Sequence, residues 1–252
     1  MTKVETHPEI RDAIRKLCGR FPGQYWRALD RERAYPKDFV NALTEAGWLS
    51  VLIPEQYGGA GLGIGAACAV LEEIHRSGAN GAACHAQMYT MGTLLRHGSD
   101  AQKEKWLPKI ASGEVRLQAF GVTEPTSGTD TTRIQTFAKK VGDKYVVNGS
   151  KIWISRAEHS DLMILLCRTS QRDEAGKASD GMSVLLVDMR EAKGKGLTIK
   201  PVRTMLNHAT TELFFDNMEV PAENLIGKEG AGFKYIIDGM NDARGVLRSE
   251  RI

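Results

Sequence analysis

The residues from Gly121 to Asp130, GVTEPTSGTD, combine hydroxyl side chains, two glycines and a proline between two apolar segments. Residues of these types form turns, so the stretch could be an ordinary loop. It could also be a loop that presents backbone N–H groups and hydroxyls to a bound molecule. The surrounding sequence has to decide between these two interpretations.

Other patterns that would indicate a chemical site are weak. The histidines are scattered without the i, i+4 pairing of a metal-binding helix, so we expect core or surface histidines and no metal site. The glycine-rich stretch GAGLGIG follows a helical pattern and a proline rather than a buried strand, which argues against a dinucleotide-binding turn. The G-x-S-x-G, phosphate-loop and H-E-x-x-H motifs are absent from the sequence.

Composition excludes several classes of partner. The net charge is only +3 and the basic residues are dispersed, so we expect no nucleic-acid partner. The sequence contains no apolar run of the roughly eighteen residues that cross a membrane and no apolar signal core at its start, so we expect a cytoplasmic protein without a membrane span. The four cysteines lack C-x-x-C spacing and are expected to be reduced, mostly buried thiols.

The first part of the chain is predicted to be helical. Ser99 and Gln102 form an S-x-x-Q capping box ahead of a helix that contains Trp106 and Leu107. Apolar residues recur at helical spacing in two earlier segments, and the glycines Gly47 and Gly78 end them. These residues are Phe39, Val40, Leu43 and Ala46 in the first segment, and Ala67, Val70, Leu71 and Ile74 in the second.

From about Gln118 the pattern changes to short strands. Turns are predicted at Gly142-Asp143 and again at Asn148-Gly149, where the N-G pair suits a two-residue hairpin. Further strand-like segments follow up to about residue 221, which predicts an antiparallel β-barrel-like domain.

A helical pattern returns after residue 230, with four apolar residues predicted on one side. They are Phe233, Ile236, Ile237 and Met240. This helix has no C-cap signal and either docks on the first bundle or lacks its natural partners. We expect the chain from about Asn224 onward to be loosely held. The predicted fold class is therefore α+β, with a helical domain at 1–117, a β domain at 118–223 and the first helix of a further helical domain at 224–252.

Two motifs give the loop a specific interpretation. The segments QAFGVTEPTSGTD and GDKYVVNGSKIWIS resemble the flavin-binding core of the acyl-CoA dehydrogenases, whose usual motifs are T-E-P-x-x-G-S-D, then G-D-x-Y-x-[IV]-N-G-x-K followed by W-I-[TS]. The resemblance extends to IPEQYGGAGLG, LEEI and FDNMEVPAENLIGKEGAGF, in the order of that family. It covers nearly the whole chain.

The resemblance implies an FAD cofactor bound at the opening loop and the W-I-S strand. Thr123 would bond the pyrimidine side of the ring and Ser155 would donate its hydroxyl toward flavin N5. Trp153 would pack against the flavin, on the same strand face as Ser155. Thr129 stands where most relatives have serine. The implied cofactor-binding residues are Phe120, Gly121, Val122, Thr123, Gly128, Thr129, Trp153, Ile154 and Ser155.

The implied reaction forms an α,β double bond in an acyl-CoA thioester. A glutamate removes the α-proton while the β-hydrogen leaves as hydride to the flavin. In most of the family this base lies beyond the position that matches residue 252. In a minority it directly precedes a shared arginine, which here is Arg244 after Ala243. We therefore expect no catalytic base in this chain, and substrate contacts from Thr129, Asn241 and Arg244. Glu124 and Asp130 are expected to have structural roles.

The resemblance also implies partners. These are an acyl-CoA substrate, an electron-transfer flavoprotein or similar acceptor, and further copies of the chain in a dimer or tetramer. Family chains are typically half as long again, so we expect this sequence to be a piece of that architecture. Two alternatives remain open at this stage. They are an acyl-CoA oxidase or flavin monooxygenase of the same fold, and a non-catalytic flavin-binding module.

Overall fold

A computed structural model describes residues 6–172 and 176–249, with side chains up to residue 240. Helices occupy the first part of the chain and strands the second, as the sequence predicted. The helices are α1 (Pro8–Cys18), α2 (Gly23–Glu32), α3 (Lys37–Glu45), α4 (Ile64–Arg76), α5 (Ala82–His97), α6 (Asp100–Ser112), α7 (Met189–Ala192) and α8 (Gly232–Ser249). The strands are β1 (Leu117–Gly121), β2 (Phe137–Val141), β3 (Lys144–Ser155), β4 (Leu162–Arg168), β5 (Met182–Asp188), β6 (Leu197–Pro201), β7 (Thr210–Pro221) and β8 (Leu225–Ile226).

Most of the predicted helix starts and buried helix positions agree with the structure. The capping box at Ser99 and Gln102 is present in both directions, and α6 begins directly after it. The predicted apolar positions of α4 are fully buried. Ala46 is an exception, because α3 ends at Glu45 and Ala46 is an exposed cap residue. Ala42 takes its place on the buried face.

The strands form one sheet in the order β6-β7-β3-β2-β4-β5-β8, with β1 added beside β4. The α+β fold class is confirmed. Most pairs are antiparallel as expected, but β1 and β2 both pair with β4 in parallel. Parallel pairing of β1 is possible because a long connection through β2 and β3 separates it from β4 along the chain.

The predicted turn at Gly142-Asp143 joins β2 to β3, but the predicted second turn at Asn148-Gly149 is wrong. Strand β3 continues through both residues. Its register against β7 shifts between Val147 and Gly149, which marks a β-bulge. The side chain of Asn148 accepts a hydrogen bond from the Asn217 N–H at 2.9 Å and so satisfies the bulged backbone.

The core consists of three apolar clusters. One fills the helical bundle and a second fills the sheet. The third lies between them and includes Trp106 of α6, Leu166 of β4 and Ile236 of α8. The helical and β segments therefore share buried contacts rather than standing apart.

Helix α8 docks on the first helices, which is one of the two alternatives the sequence left open, while the loose holding of the chain from about Asn224 stays a prediction. Strand β8 pairs with β5, and α8 packs on α4 and α5. Ile236 is 1% exposed, whereas Ile237 and Met240 lie at the surface. The buried face was misassigned because Gly232 and Gly239, which the sequence pattern does not count as apolar, are buried and allow close approach to β5 and α5.

Candidate functional site

The opening loop is held against strand β3 by its carbonyl groups. The Val122 carbonyl accepts from the Lys151 ammonium at 3.0 Å, and the Thr123 carbonyl accepts from the Ile152 N–H at 3.0 Å. In the described part of the chain, the N–H groups of Val122 and Thr123 have no hydrogen-bond partner. The loop thus uses two of its carbonyls for anchoring and leaves two adjacent N–H donors unpaired among the described residues.

A buried ion pair fixes the next residue of the loop. The Lys151 ammonium lies 2.8 Å from the Glu124 carboxylate, and both side chains are almost fully buried. The same carboxylate accepts from the N–H groups of Gln135 and Thr136 at 2.6 and 3.0 Å. Burial alone would raise the pKa of Glu124, but Lys151 and these N–H donors outweigh burial and lower it. Burial lowers the pKa of Lys151, against the opposing effect of Glu124.

The loop turns at Pro125, as predicted. Glu124 and Ser127 exchange both backbone hydrogen bonds at 3.1 Å, with Pro125 at the exposed tip. Asp130 accepts from the Thr132 N–H at 3.1 Å and caps a short helical turn. Glu124 and Asp130 therefore have the structural roles expected of them.

Each glycine of the loop has a different role. A Cβ at Gly121 would lie 3.1 Å from the Met163 sulfur and 3.2 Å from Leu165, so this glycine allows packing on β4 rather than approach of a ligand. Gly128 and Thr129 are exposed, and a Cβ at Gly128 would meet no atom within 4 Å. Space for a ligand is therefore open at Gly128.

Trp153 lies at a second bulge of β3. Lys151 pairs with Leu213 and Ile154 with Thr211, so β3 carries one extra residue across this step. Trp153 has a φ of 62°, in the left-handed region that costs a side-chain-bearing residue about 1–2 kcal/mol. Its side chain is 57% exposed while Ile154 is buried. The bulge thus directs a large aromatic ring to the surface, which is typical of bulges near functional sites.

Ser155 ends β3 beside the loop that precedes β7. Its Oγ accepts a hydrogen bond from the Asn207 side-chain amide at 2.9 Å. Phe120, at the other end of the site, packs edge-on against Tyr89 of α5, with ring centroids 5.3 Å apart. The opening loop lies on strand β3, and Phe120 just before the loop packs on helix α5.

Sequence reasoning missed three residues that support the opening loop and the end of β3 by hydrogen bonds, namely Lys151, Arg168 and Asn207. Arg168 is buried, and its guanidinium donates to four backbone carbonyls. Two of these carbonyls lie in the segment just after the opening loop, and two lie in the connection between β4 and β5. The acceptors are the carbonyls of Thr132, Ile134, Ala178 and Asp180. By itself, a lysine or arginine inside a predicted strand does not indicate a buried structural role, because only the tertiary fold shows that the side chain is buried.

The structure describes the side chain of one of the three residues expected to contact the substrate. Thr129 lies on the exposed loop next to Gly128. The side chains of Asn241 and Arg244 lie outside the described residues. In the described part of the chain no cluster of histidine, cysteine and carboxylate side chains could hold a metal ion. No helix described in the structure is long and apolar enough to cross a membrane.

The donors in this region suit a flavin ring. The flavin O2, O4, N1 and N5 atoms accept hydrogen bonds, which the Val122 and Thr123 N–H groups and the Ser155 hydroxyl can supply, and Trp153 offers an apolar face. The fold is that of an α+β protein in which a helical region precedes one sheet.

Comparison with known proteins identifies the class. Residues 4–114 match the family model "Acyl-CoA dehydrogenase, N-terminal domain", and residues 119–218 match "Acyl-CoA dehydrogenase, middle domain". The chain belongs to the acyl-CoA dehydrogenase family.

Individual relatives agree with this assignment. Glutaryl-CoA dehydrogenase of Desulfococcus multivorans is 36% identical over 94% of this chain and 60% of its own length. The crystal structure of acyl-CoA dehydrogenase from Geobacillus kaustophilus matches with a TM-score of 0.89 and 29% identity, over 99% of this chain and 65% of that one. A chain of the solved structure "Electron transferring flavoprotein of Acidaminococcus fermentans" matches with a TM-score of 0.87 and 29% identity, over 99% and 66%. The present chain thus spans about three-fifths to two-thirds of the length of these relatives.

Proposed function

We propose that the chain forms the FAD-binding wall of an acyl-CoA dehydrogenase, an oxidoreductase that forms an α,β double bond in an acyl-CoA thioester. The observation that carries the proposal is the pair of adjacent N–H donors at Val122 and Thr123, free of partners among the described residues and anchored on the part of β3 that continues to Trp153 and Ser155. FAD, when bound, supplies the hydride acceptor. The family assignment supports this chemistry over the many other ligands that two amide donors could bind.

The role of the wall is to stabilise negative charge on the reduced ring. With FAD bound, the N–H groups of Val122 and Thr123 would donate to the pyrimidine side, and the Ser155 hydroxyl would donate toward the N5 side. Preorganised donors of this kind are effective because they need no rearrangement when charge develops. The anchoring of both carbonyls to β3 holds the two N–H groups in place.

The α-proton has to be removed by a base from outside the described wall. Its two described carboxylates are occupied, Glu124 by Lys151 and two N–H groups, and Asp130 by Thr132. We propose a base outside the present sequence, with Thr129, Asn241 and Arg244 contacting the acyl-CoA. The finer division into domains at 1–117, 118–223 and 224–252 is part of the same proposal.

The proposed partners follow from the family. An electron-transfer flavoprotein or similar acceptor would take the electrons, and further copies of the chain would complete a dimer or tetramer. The neighbouring structure of an electron transferring flavoprotein supports the first partner. We place the protein in the cytoplasm.

Anaerobic loss of oxidised-flavin absorbance tests the function. The 252-residue chain, titrated with FAD, should bind it weakly and show little or no bleaching with short, medium or long acyl-CoAs. A longer chain with the helical bundle that the resemblance implies should bleach and reoxidise slowly in air. Fast reoxidation would indicate an oxidase instead. Failure of both chains to bind FAD would overturn the proposal, and rapid bleaching by the short chain would place the base within it.

A further inference from the structure

A single hydrogen bond decides which way the Ser155 hydroxyl can point. The Asn207 side-chain Nδ2 donates to Ser155 Oγ at 2.9 Å. A hydroxyl has one proton and two acceptor lone pairs, so an oxygen that accepts from Asn207 keeps its own proton for another acceptor. No described residue accepts a hydrogen bond from Ser155 Oγ.

A second contact favours this orientation of the Asn207 amide. Its Oδ1 faces the Arg156 guanidinium at 3.5 Å, which leaves Nδ2 on the side of Ser155. The backbone carbonyl of Asn207 accepts from both the N–H and the hydroxyl of Thr210, at 3.0 and 2.7 Å. Asn207 has a φ of 55°, a left-handed conformation that asparagine tolerates better than most residues. The side chain is therefore presented from a constrained turn.

We propose that Asn207 is a positioning residue that makes Ser155 a hydrogen-bond donor to the flavin. The inference rests on the proposed function, because it needs a flavin at the wall. Asn207 acts only through Ser155. An acceptor at position 207 would draw the Ser155 proton away from the ring, and a residue without a side chain would let the hydroxyl rotate.

Two substitutions at position 207 separate the loss of the hydrogen bond to Ser155 from a change in backbone strain. Asn207→Gly removes the donor and tolerates the positive φ. Asn207→Asp keeps the shape but replaces the donor by an acceptor. Asn217 supplies the matched control, because it is an exposed asparagine with a φ of 49° in strand β7 and lies outside the proposed wall. Asn217→Gly and Asn217→Asp carry the same changes of backbone and charge.

Two measurements test the proposal. In the chain without FAD, Ser155→Ala should shift the side-chain amide NMR signals of Asn207 and leave those of Asn217 unchanged. With FAD, Asn207→Gly should raise the dissociation constant about three- to tenfold, the range of one lost neutral hydrogen bond, and Asn207→Asp should raise it further. The reduction potential of bound FAD should fall in both variants. In a Ser155→Ala background, Asn207→Gly should change the affinity by less than about twofold and the potential only marginally.

The outcomes are distinguishable. Equal FAD affinity and potential in the wild type and both Asn207 variants would overturn the inference and leave the proposed function intact. The inference would also be overturned if Asn207→Gly changed FAD affinity and potential as much in the Ser155→Ala background as in the wild type. Asn207 would then act directly on the flavin or through the fold. Failure of both the 252-residue chain and the longer chain to bind FAD would overturn the proposed function and the inference with it, whatever the NMR result.

Discussion

The Lys151 ammonium and the Glu124 carboxylate lie 2.8 Å apart in a buried position beneath the opening loop. The pair links two segments that are more than twenty residues apart in the chain and that together form the proposed flavin wall. Removing one partner of a buried pair leaves an uncompensated charge, which costs far more than removing an exposed pair.

Lys151→Met should therefore lower the free energy of unfolding by about 3–5 kcal/mol. The double variant Lys151→Met with Glu124→Gln should be more stable than Lys151→Met alone, because no charge remains buried. Urea unfolding at about pH 7 measures both. The control is Lys144→Met, which breaks an exposed pair with Glu219 and should cost less than about 1 kcal/mol. A loss at Lys151 no larger than at Lys144 would contradict the role of the pair.

The pH dependence of stability should carry the signature of Glu124. Its folded-state pKa is lowered, the net result of burial that raises it and of Lys151 and the N–H donors that lower it. The ionised carboxylate thus stabilises the folded state above the unfolded pKa of glutamate, about 4.3, and this contribution disappears as the pH falls through the lower folded pKa. Between about pH 5 and 3, stability should fall less steeply in Glu124→Gln than in the wild type. Parallel pH profiles would show that Glu124 does not titrate as inferred.

Trp153 should show a trade-off between binding and stability. Trp153→Gly removes a residue with a φ of 62° and should stabilise the chain without ligand by about 1 kcal/mol, since glycine adopts this conformation freely. Trp153→Ala and Trp153→Gly should both weaken FAD binding about tenfold or more, because an aromatic contact and its buried area are lost. Met205→Ala, at a 90% exposed residue, controls for loss of surface apolar area. FAD affinity unchanged by either Trp153 variant would remove Trp153 from the wall.

The docking of α8 is tested by two adjacent isoleucines. Ile236 is 1% exposed and Ile237 is 39% exposed, so Ile236→Ala should cost about 2–5 kcal/mol and Ile237→Ala much less. Amide hydrogen exchange should also show protection from Phe233 to Met240 in the wild type and its loss in Ile236→Ala. Equal effects of the two substitutions, with exchange near that of an unfolded peptide, would support the expectation of a loosely held helix.

Gly149 tests the bulge found in place of the predicted second turn. A Cβ there would lie 2.7 Å from the Thr136 Cα, and the φ of 142° is itself strained for other residues. Gly149→Ala should lower the free energy of unfolding by more than about 2 kcal/mol, because a backbone contact cannot relax as a side chain can. Gly142→Ala, at a turn with φ 60° and open space around it, should cost only about 1 kcal/mol. Similar losses at both positions would mean that conformation alone, and not the contact with Thr136, requires Gly149.

The sequence by itself determined the order of helices and strands, the capping box at Ser99 and the turn at Pro125. Each depends on residues close together in the chain, and local chemistry is enough to specify it. The paired motifs around Thr123 and Trp153 also indicated the family, since each motif is a short continuous run of residues, and they suggested the flavin wall that is proposed above.

Only the tertiary structure decided how these parts meet. It showed that Asn148-Gly149 lies at a bulge, because the partner strand β7 and Thr136 set the local geometry. It also showed that Lys151 is buried against Glu124 and that Asn207 bonds Ser155 across 52 residues of chain. Contacts between distant segments leave no periodic pattern in the sequence, since burial and pairing depend on where the fold brings each side chain.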